Sequence, residues 1–362
     1  MGYIDEADLL RKLKKMPVTE CEKLASEIRD FLIAHVAQTG GHLGPNLGVI
    51  ELTIALHKVF DSPRDAILFD TGHQSYVHKI LTGRNDFTHL RQEDGLSGYP
   101  SREESPHDII ENSHASTALS WADGIARGMQ YDKENQYKAV AIIGDGAMTG
   151  GMPWEALNNI SQDPQRPIVI ILNDNGRSYS PTIGGIVKKL DPNHNLNKIR
   201  THKKYEAFLR TIKKKSKNNL ASQLSYRTFH SVKKGVKDLF VDAGVFDYLG
   251  IKYLGPIDGH NINDLIEAFQ LARSYDGPIV VHALTEKGRG YKPAEEDTAE
   301  HFHAIGKIHP ETGLPIVPSR FGWTNVFAEE IDRHAQKNEH IIGITAAMLR
   351  PVGLGIMHEH MP

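Results

Sequence analysis

AVAIIGD at 139–145 and IVIILND at 168–174 decide the fold. Each is an unbroken apolar run that ends in Asp, without the apolar-polar alternation of a strand wetted on one face. Strands of this kind are covered on both sides. Similar runs stand at AILFD (66–70), YLGPID (253–258), IVVHALTE (279–286) and IIGITAA (341–347), with helix-like stretches around 116–130, 154–161 and 262–274. Nearer the start, CEKLASEIRDFLIAHVAQT (21–39) and LGVIELTIALHKVF (47–60) carry apolar positions at helical spacing; Gly40-Gly41 stops the first and Asp61-Ser62-Pro63 the second. Strand alternating with helix predicts an α/β fold, a central mostly parallel sheet with helices on both faces. Ligands of such sheets bind beyond the carboxyl ends of the strands, so the residues after each run are the candidates for chemistry.

Gly144-Asp145-Gly146 closes one run and Asn173-Asp174-Asn175 the next. On adjacent strands Asp145 and Asn175 would share one sheet edge. A carboxylate and an amide oxygen beside small glycines suit Mg²⁺ held against a diphosphate, and a helix after Gly150-Gly151 would aim backbone N–H groups at the phosphates. By itself GDG is equally an ordinary strand-to-turn transition. The NDN thirty residues later weakens that plain reading.

Composition narrows the classes. The 362 residues carry 42 basic and 45 acidic side chains, a formal charge of −3, which excludes attachment to nucleic acid or anionic membrane by total charge. Cys21 is the one cysteine, so neither an internal disulfide nor a cysteine metal cage is available, and a reducing cytoplasm fits best. The start, MGYIDEADLLRKLKKM, lacks the apolar core of a signal peptide. Glu6 argues against reading Met1-Gly2 as a myristoylation start. No segment reaches the roughly 18 apolar residues of a membrane span. Residues 187–240 are lysine-rich and without periodicity, which reads as a mobile, solvated connection. A flap near an anionic ligand and a basic arm for nucleic acid are the alternatives; no aromatic interleaving supports the arm.

GDG followed by NDN looks like the thiamine diphosphate fingerprint. The surrounding phrases GGHLGPNLG (40–48), FDTGHQSYVHKILTGR (69–84), SHAST (113–117), GDGAMTGGM (144–152), GPIDGHN (255–261), KGRGYKPAE (287–295) and ITAAM (344–348) resemble the bacterial 1-deoxy-D-xylulose-5-phosphate synthase family. The resemblance runs through almost the whole chain and is weakest across 187–240. It implies a thiamine diphosphate-binding fold, a homodimer, and decarboxylation of pyruvate with transfer of the two-carbon unit to D-glyceraldehyde 3-phosphate. Residue by residue, Asp145 and Asn175 match the Mg²⁺ ligands, with the backbone carbonyl of Arg177 a third. Positions that contact thiamine diphosphate are matched by His73, Ser113, His114, Ala115, Gly146, Ala147, Asn175 and Tyr291. His42, His73 and His303 match histidines that assist proton transfers or hold substrate. Lys79, Lys287 and Arg289 stay unassigned, since a lone cation on a loop is more often merely solvated. His57 and His107 read as structural or exposed, His78 reads either way, and Asp258-Gly259-His260 reads as a turn.

Two departures bear on the site. Gly176-Arg177-Ser178 stands where the family usually reads Glu-Met-Ser, so Gly176 is expected to loosen a loop that should be rigid, and Ser113 stands where many relatives have Gly. A third concerns extent. The sequence stops at LGIMHEHMP, before the phrase in which the family carries the Glu that hydrogen-bonds the cofactor's pyrimidine ring, and Glu359 does not match it. The expected organisation is a diphosphate and Mg²⁺ domain over 1–318 and the start of a pyrimidine-binding domain over 319–362. Such a chain alone is expected to have little or no activity. The alternatives are one subunit of a split transketolase-type enzyme, whose partner polypeptide supplies the missing domains, and a non-catalytic thiamine diphosphate-binding module.

Overall fold

Strands β1 (Ala66–Phe69), β2 (Ala139–Gly144), β3 (Ile168–Asp174), β4 (Lys252–Asp258) and β5 (Ile279–Leu284) form one sheet in the order β1-β2-β3-β5-β4. Every ladder between them is parallel. The computed structural model describes all residues except 1, 7, 134–135, 178–243, 318–320 and 347. The basic segment at 187–240 therefore lies outside the described residues. So does the junction expected at 318–319.

The two faces of the sheet explain the unbroken runs. Val140, Ile142, Val169, Ile171 and Val281 join a core with Leu24, Ile28, Leu52, Leu56 and Phe269, while Ala139, Ala141, Ile143, Ile168, Ile170 and Val280 join another with Leu119, Ala122, Leu157 and Ile160. Alternate residues of one strand thus enter opposite cores. Each fully buried Val or Ile contributes about 1.5–3 kcal/mol relative to exposure, so neither face tolerates a polar position without a partner.

The first core is built by α1 (Leu9–Leu13), α2 (Val18–Thr39), α3 (Leu43–Leu47), α4 (Ile50–Val59), α5 (Tyr76–Leu81) and, later in the chain, α9 (Ile262–Ser274); the second by α6 (Ala118–Tyr131) and α7 (Gly151–Ile160), with Phe246 of the short α8 (Gly244–Tyr248). In α2 the buried Leu24, Ile28, Leu32 and Val36 recur every fourth residue, and the helix stops at Gly40, whose φ of 77° lies in the left-handed region that favours glycine. The 47–60 segment is interrupted at Gly48-Val49, so its helical part is α4, with α3 before the break.

Asp70, the acid ending the first run, has a structural task. Its Oδ1 accepts the Ser116 N–H at 2.8 Å and its Oδ2 the Ala118 N–H at 3.0 Å, so the end of β1 caps the start of α6.

Beyond α10 (Lys292–Glu296) come α11 (Trp323–Ala335) and α12 (Gly355–His360), joined by a 2.9 Å contact between His360 Nδ1 and Asp332 Oδ1. The IIGITAA run corrects the sequence reading, because its described residues 341–346 form no strand. Ile342 and Ile344 are 80% and 91% exposed, and without a neighbouring strand the run has no ladder to join. Among the described residues no helix is long and apolar enough to cross a membrane.

Replacing Asp70 by Ala removes two backbone caps at once. Urea unfolding should show a loss of roughly 2 kcal/mol, with Asp70→Asn recovering part of it.

Candidate active site

Parallel pairing of β2 with β3 places Gly144 opposite Asn173, so the residues after both strands emerge together. Asp145 is buried, and its Oδ1 accepts the Asn175 N–H at 3.4 Å. The Asn175 Oδ1 accepts the Arg177 N–H at 3.1 Å, a turn in which a short amide side chain folds back on its own backbone. Gly176 sits between them at φ 69°, which glycine adopts without strain, and its N–H donates to Asp174 Oδ1 at 3.1 Å. The loop expected to be loosened by Gly176 is therefore tied at three successive N–H groups. The Arg177 guanidinium donates to the Thr298 carbonyl at 3.2 Å. A carboxylate, an amide oxygen and a nearby main-chain carbonyl make a donor set suited to a hard cation that keeps phosphate oxygens and water as its other ligands. Among the described residues no group of three or more His, Cys, Asp or Glu is arranged to hold a metal.

Gly146 and Ala147 follow Asp145 directly, and the Ala147 carbonyl accepts the Ser116 hydroxyl at 2.7 Å. This contact ties the 113–117 loop to the same rim. Ser113, His114 and Ala115 are exposed there. The His114 main chain is closed on Asn112, donating its N–H to Oδ1 and receiving Nδ2–H at its carbonyl, both at 2.9 Å. Tyr291 is buried against Phe302, and its hydroxyl donates to the Pro310 carbonyl at 2.8 Å.

His42, His73 and His303 come from three distant segments and meet with ring centroids 5.2 to 5.8 Å apart. Asn46, fully buried, holds two of them: its Nδ2 donates to the carbonyls of His42 at 2.7 Å and His73 at 2.8 Å, and its Oδ1 accepts the Tyr76 N–H at 2.9 Å. The His42 N–H donates to the Tyr76 hydroxyl at 3.3 Å. Close main-chain contact brings in the third, since the Gly44 N–H donates to the Phe302 carbonyl at 2.8 Å. A Cβ at Gly44 would stand 1.9 Å from the His301 carbonyl oxygen, so only glycine allows this approach. Lys287, also buried, places Nζ 2.8 Å from His303 Nδ1.

Burial governs the charges. It lowers His42 to about 4 and His73 to about 3, with Lys287 opposing protonation of both. It likewise lowers His303 to about 2, helped by Lys287. Lys287 itself falls to about 7, chiefly by burial, while Glu300, Asp297 and Asp145 favour its charge and Arg177 opposes it. The rings are therefore neutral near pH 7, beside an ammonium poised to exchange its proton. The Nδ1 atoms of His42 and His73 are buried without a hydrogen-bond partner. Such atoms cost about 1–3 kcal/mol each unless a ligand meets them, which fits a site built around a polar guest.

Asn46, Tyr76 and Lys287 are what sequence reading did not assign. A polar Asn within the apolar phrase GGHLGPNLG is a signal that something must satisfy it, but its partners are named only by the fold. His78 resolves as structural. Its Nδ1 lies 2.8 Å from His57 Nε2 and its Nε2 3.0 Å from Asp108 Oδ1, and Arg84 grips the Asp108 carboxylate at 2.6 and 2.8 Å. Lys79, fully buried, pairs with Glu104. Gly259-His260 forms a turn directly after β4, with the His260 N–H donating to Asp258 Oδ1 at 2.9 Å.

The depressed histidines give a pH dependence with a definite sign. Their folded values lie below the ordinary 6.5, so the unfolded chain takes these protons first; stability is full above pH 6.5 and falls as the pH drops toward 4. Urea unfolding at pH 7 and pH 5 should show that fall, and His73→Leu should shrink it by roughly 1–2 kcal/mol.

Comparison with known proteins now bears on this geometry. Residues 4–285 match the family model described as 1-deoxy-D-xylulose-5-phosphate synthase. The chain is 55% identical over 367 residues to a protein of that name from Renibacterium salmoninarum, with 100% of this chain and 56% of the relative covered. A Streptomyces griseus protein of the same name is 56% identical over 353 residues, covering 97% and 54%. The chain thus spans about half the length of the curated relatives it matches. Among solved structures, transketolase from Leishmania mexicana aligns with TM-score 0.55 at 15% identity, covering 94% of this chain and 44% of that one. Transketolase from Campylobacter jejuni aligns with TM-score 0.55 at 16% identity, covering 95% and 48%. At such identity these two speak for the fold alone. The family match over most of the chain, and relatives identical at more than half of the aligned positions, establish that this chain belongs to the 1-deoxy-D-xylulose-5-phosphate synthase family.

Proposed function

We propose that this chain is the cofactor-tail half of a 1-deoxy-D-xylulose-5-phosphate synthase, which decarboxylates pyruvate and joins the two-carbon unit to D-glyceraldehyde 3-phosphate. The observation that carries the reading is the meeting of Asp145 with the Asn175 turn at one sheet edge, where Lys287 feels the charges of Asp145 and Arg177 and bonds the buried histidine cluster. Thiamine diphosphate, when bound, supplies the electron sink that lets pyruvate lose carbon dioxide. Asp145, the Asn175 amide oxygen and the Arg177 carbonyl are the groups that would hold Mg²⁺ beside the diphosphate. Gly146 and Ala147 let main chain approach the tail, Ser113, His114 and Ala115 form its rim, and Tyr291 backs the wall.

His42, His73 and His303 line the reacting end. Kept neutral by burial, their rings accept or donate at nitrogen without adding charge to a site that must exclude water. Lys287, titrating at about 7, acts as the proton reservoir behind His303 and as a counter-charge for carboxylate or phosphate.

The domain division at 318–319 belongs to this proposal. Residues 1–318 form the diphosphate part and 319–362 begin the part that receives the pyrimidine ring, the remainder being supplied as in the longer relatives. A cytoplasmic homodimer that engages neither nucleic acid nor membrane completes the reading. The split transketolase-type subunit is not favoured, because relatives at 55–56% identity carry the synthase name.

Calorimetry with thiamine diphosphate and Mg²⁺ tests it. The 362-residue chain should bind, a chelator should abolish the heat, and Asp145→Ala should weaken binding at least tenfold, about 1.4 kcal/mol. No binding by the wild type, or undiminished binding by Asp145→Ala, overturns the proposal. In the same samples pyruvate should release little or no carbon dioxide until the pyrimidine-binding part is added.

A further inference from the structure

The apolar run IVVHAL of β5 contains one polar residue, His282, which is fully buried in the middle of the sheet. A polar ring there is costly unless both nitrogens are met. Both are: Nε2 lies 2.8 Å from Asp174 Oδ2 on β3, and Nδ1 lies 2.7 Å from the Tyr253 hydroxyl on β4. A carboxylate only accepts, so Nε2 carries the proton and points it at Asp174, while the Tyr253 hydroxyl serves the other nitrogen. Three neighbouring strands are thus linked by one chain of side chains. It ends on the residue immediately before Asn175.

Asp174 uses its other oxygen for the loop. Oδ1 accepts the Gly176 N–H at 3.1 Å, and its main-chain carbonyl accepts the Thr285 N–H at 2.9 Å. Asn173 is clamped as well, its Oδ1 accepting the Thr285 hydroxyl at 2.6 Å and its Nδ2 donating to Gln74 Oε1 at 3.4 Å. The first two residues of Asn173-Asp174-Asn175 therefore face inward as anchors, and the third is held at the rim. With one carboxylate oxygen fixed by a ring locked in the sheet, the other is aimed at Gly176 before any ligand arrives.

We propose that His282, oriented by Tyr253, is a positioning residue that presets the Asn173–Arg177 loop for its cation by holding Asp174. It touches neither ligand nor reacting atoms, and acts only through the carboxylate. The inference rests on the reading of that loop as the Mg²⁺-diphosphate site, but the ordering it asserts exists in the free chain and is measured there.

Three variants separate positioning from bulk stability. His282→Leu removes the N–H that Asp174 receives, His282→Gln returns an N–H at about the place of Nε2, and Tyr253→Phe removes only the outer link. Amide hydrogen exchange of the ligand-free chain should show the Asn175, Gly176 and Arg177 amides exchanging at least tenfold faster in His282→Leu, near the wild-type rate in His282→Gln and in between in Tyr253→Phe. Calorimetry with Mg²⁺ and thiamine diphosphate should follow the same order, with affinity reduced about tenfold in His282→Leu. Loop exchange in His282→Leu equal to wild type, or equally fast in the Leu and Gln variants, overturns the proposal. Should the wild type fail to bind while the exchange order holds, the positioning role stands and the site reading falls; should it bind while loop exchange ignores position 282, the reverse follows.

Discussion

The parallel pairing of β2 with β3 is the constraint on which the site depends. Parallel strands present their carboxyl ends on the same side of the sheet, and the register that sets Gly144 opposite Asn173 leaves Asp145 and Asn175 as immediate neighbours. A slip of one residue would turn every side chain of one strand to the other face, exchanging its partners between the two cores. Because Val140, Ile142, Val169 and Ile171 fill one core while Ala141, Ile143, Ile170 and Leu172 fill the other, the apolar packing enforces the register that the rim residues need. Fold stability and donor geometry are thus one problem here.

Polar groups inside this molecule form separate networks with separate uses. His57, His78, Asp108 and Arg84, with Lys79 and Glu104 beside them, bond one another and close the region around α5, with His57 Nδ1 and Arg84 Nε left over. Burial works to raise Asp108, yet the hydrogen bonds from Arg84 and His78 prevail and keep it ionised. Tyr253, His282 and Asp174 satisfy one another across the sheet and reach the rim from below. The cluster of His42, His73 and His303 is marked instead by Lys287, whose Nζ lies 2.8 Å from His303 Nδ1. That lysine, pushed down to about 7, separates a reactive pocket from a structural one built of the same residue types.

Legibility in the sequence followed the range of the interactions. The strands were readable because both faces of the sheet are covered, a property written into every residue of a run such as IVIIL. The helices were readable from spacing, as at Leu24, Ile28, Leu32 and Val36. The 341–347 run misled because apolar composition alone does not supply a neighbouring strand. Gly176 misled in the other direction: glycine suggests slackness, but here it occupies a left-handed turn bonded at its N–H. Asn46 and Lys287 stayed unread because their roles consist of partners, and those lie up to 30 residues away for Asn46, while Lys287 bonds a ring 16 residues away.

By itself the sequence determined the α/β class, the placing of Asp145 and Asn175 after two strands, and the family, since unbroken apolar runs and short phrases such as TGHQSYVHKILTGR are local in the chain. Only the tertiary structure decided which histidines cluster, that Asp70 caps a helix, and that Asp174 answers to a ring on the neighbouring strand β5, itself bonded to Tyr253 of β4. The physical reason is that burial and hydrogen-bond partnership are properties of the neighbours a residue acquires on folding, and those neighbours are not contiguous with it in the chain.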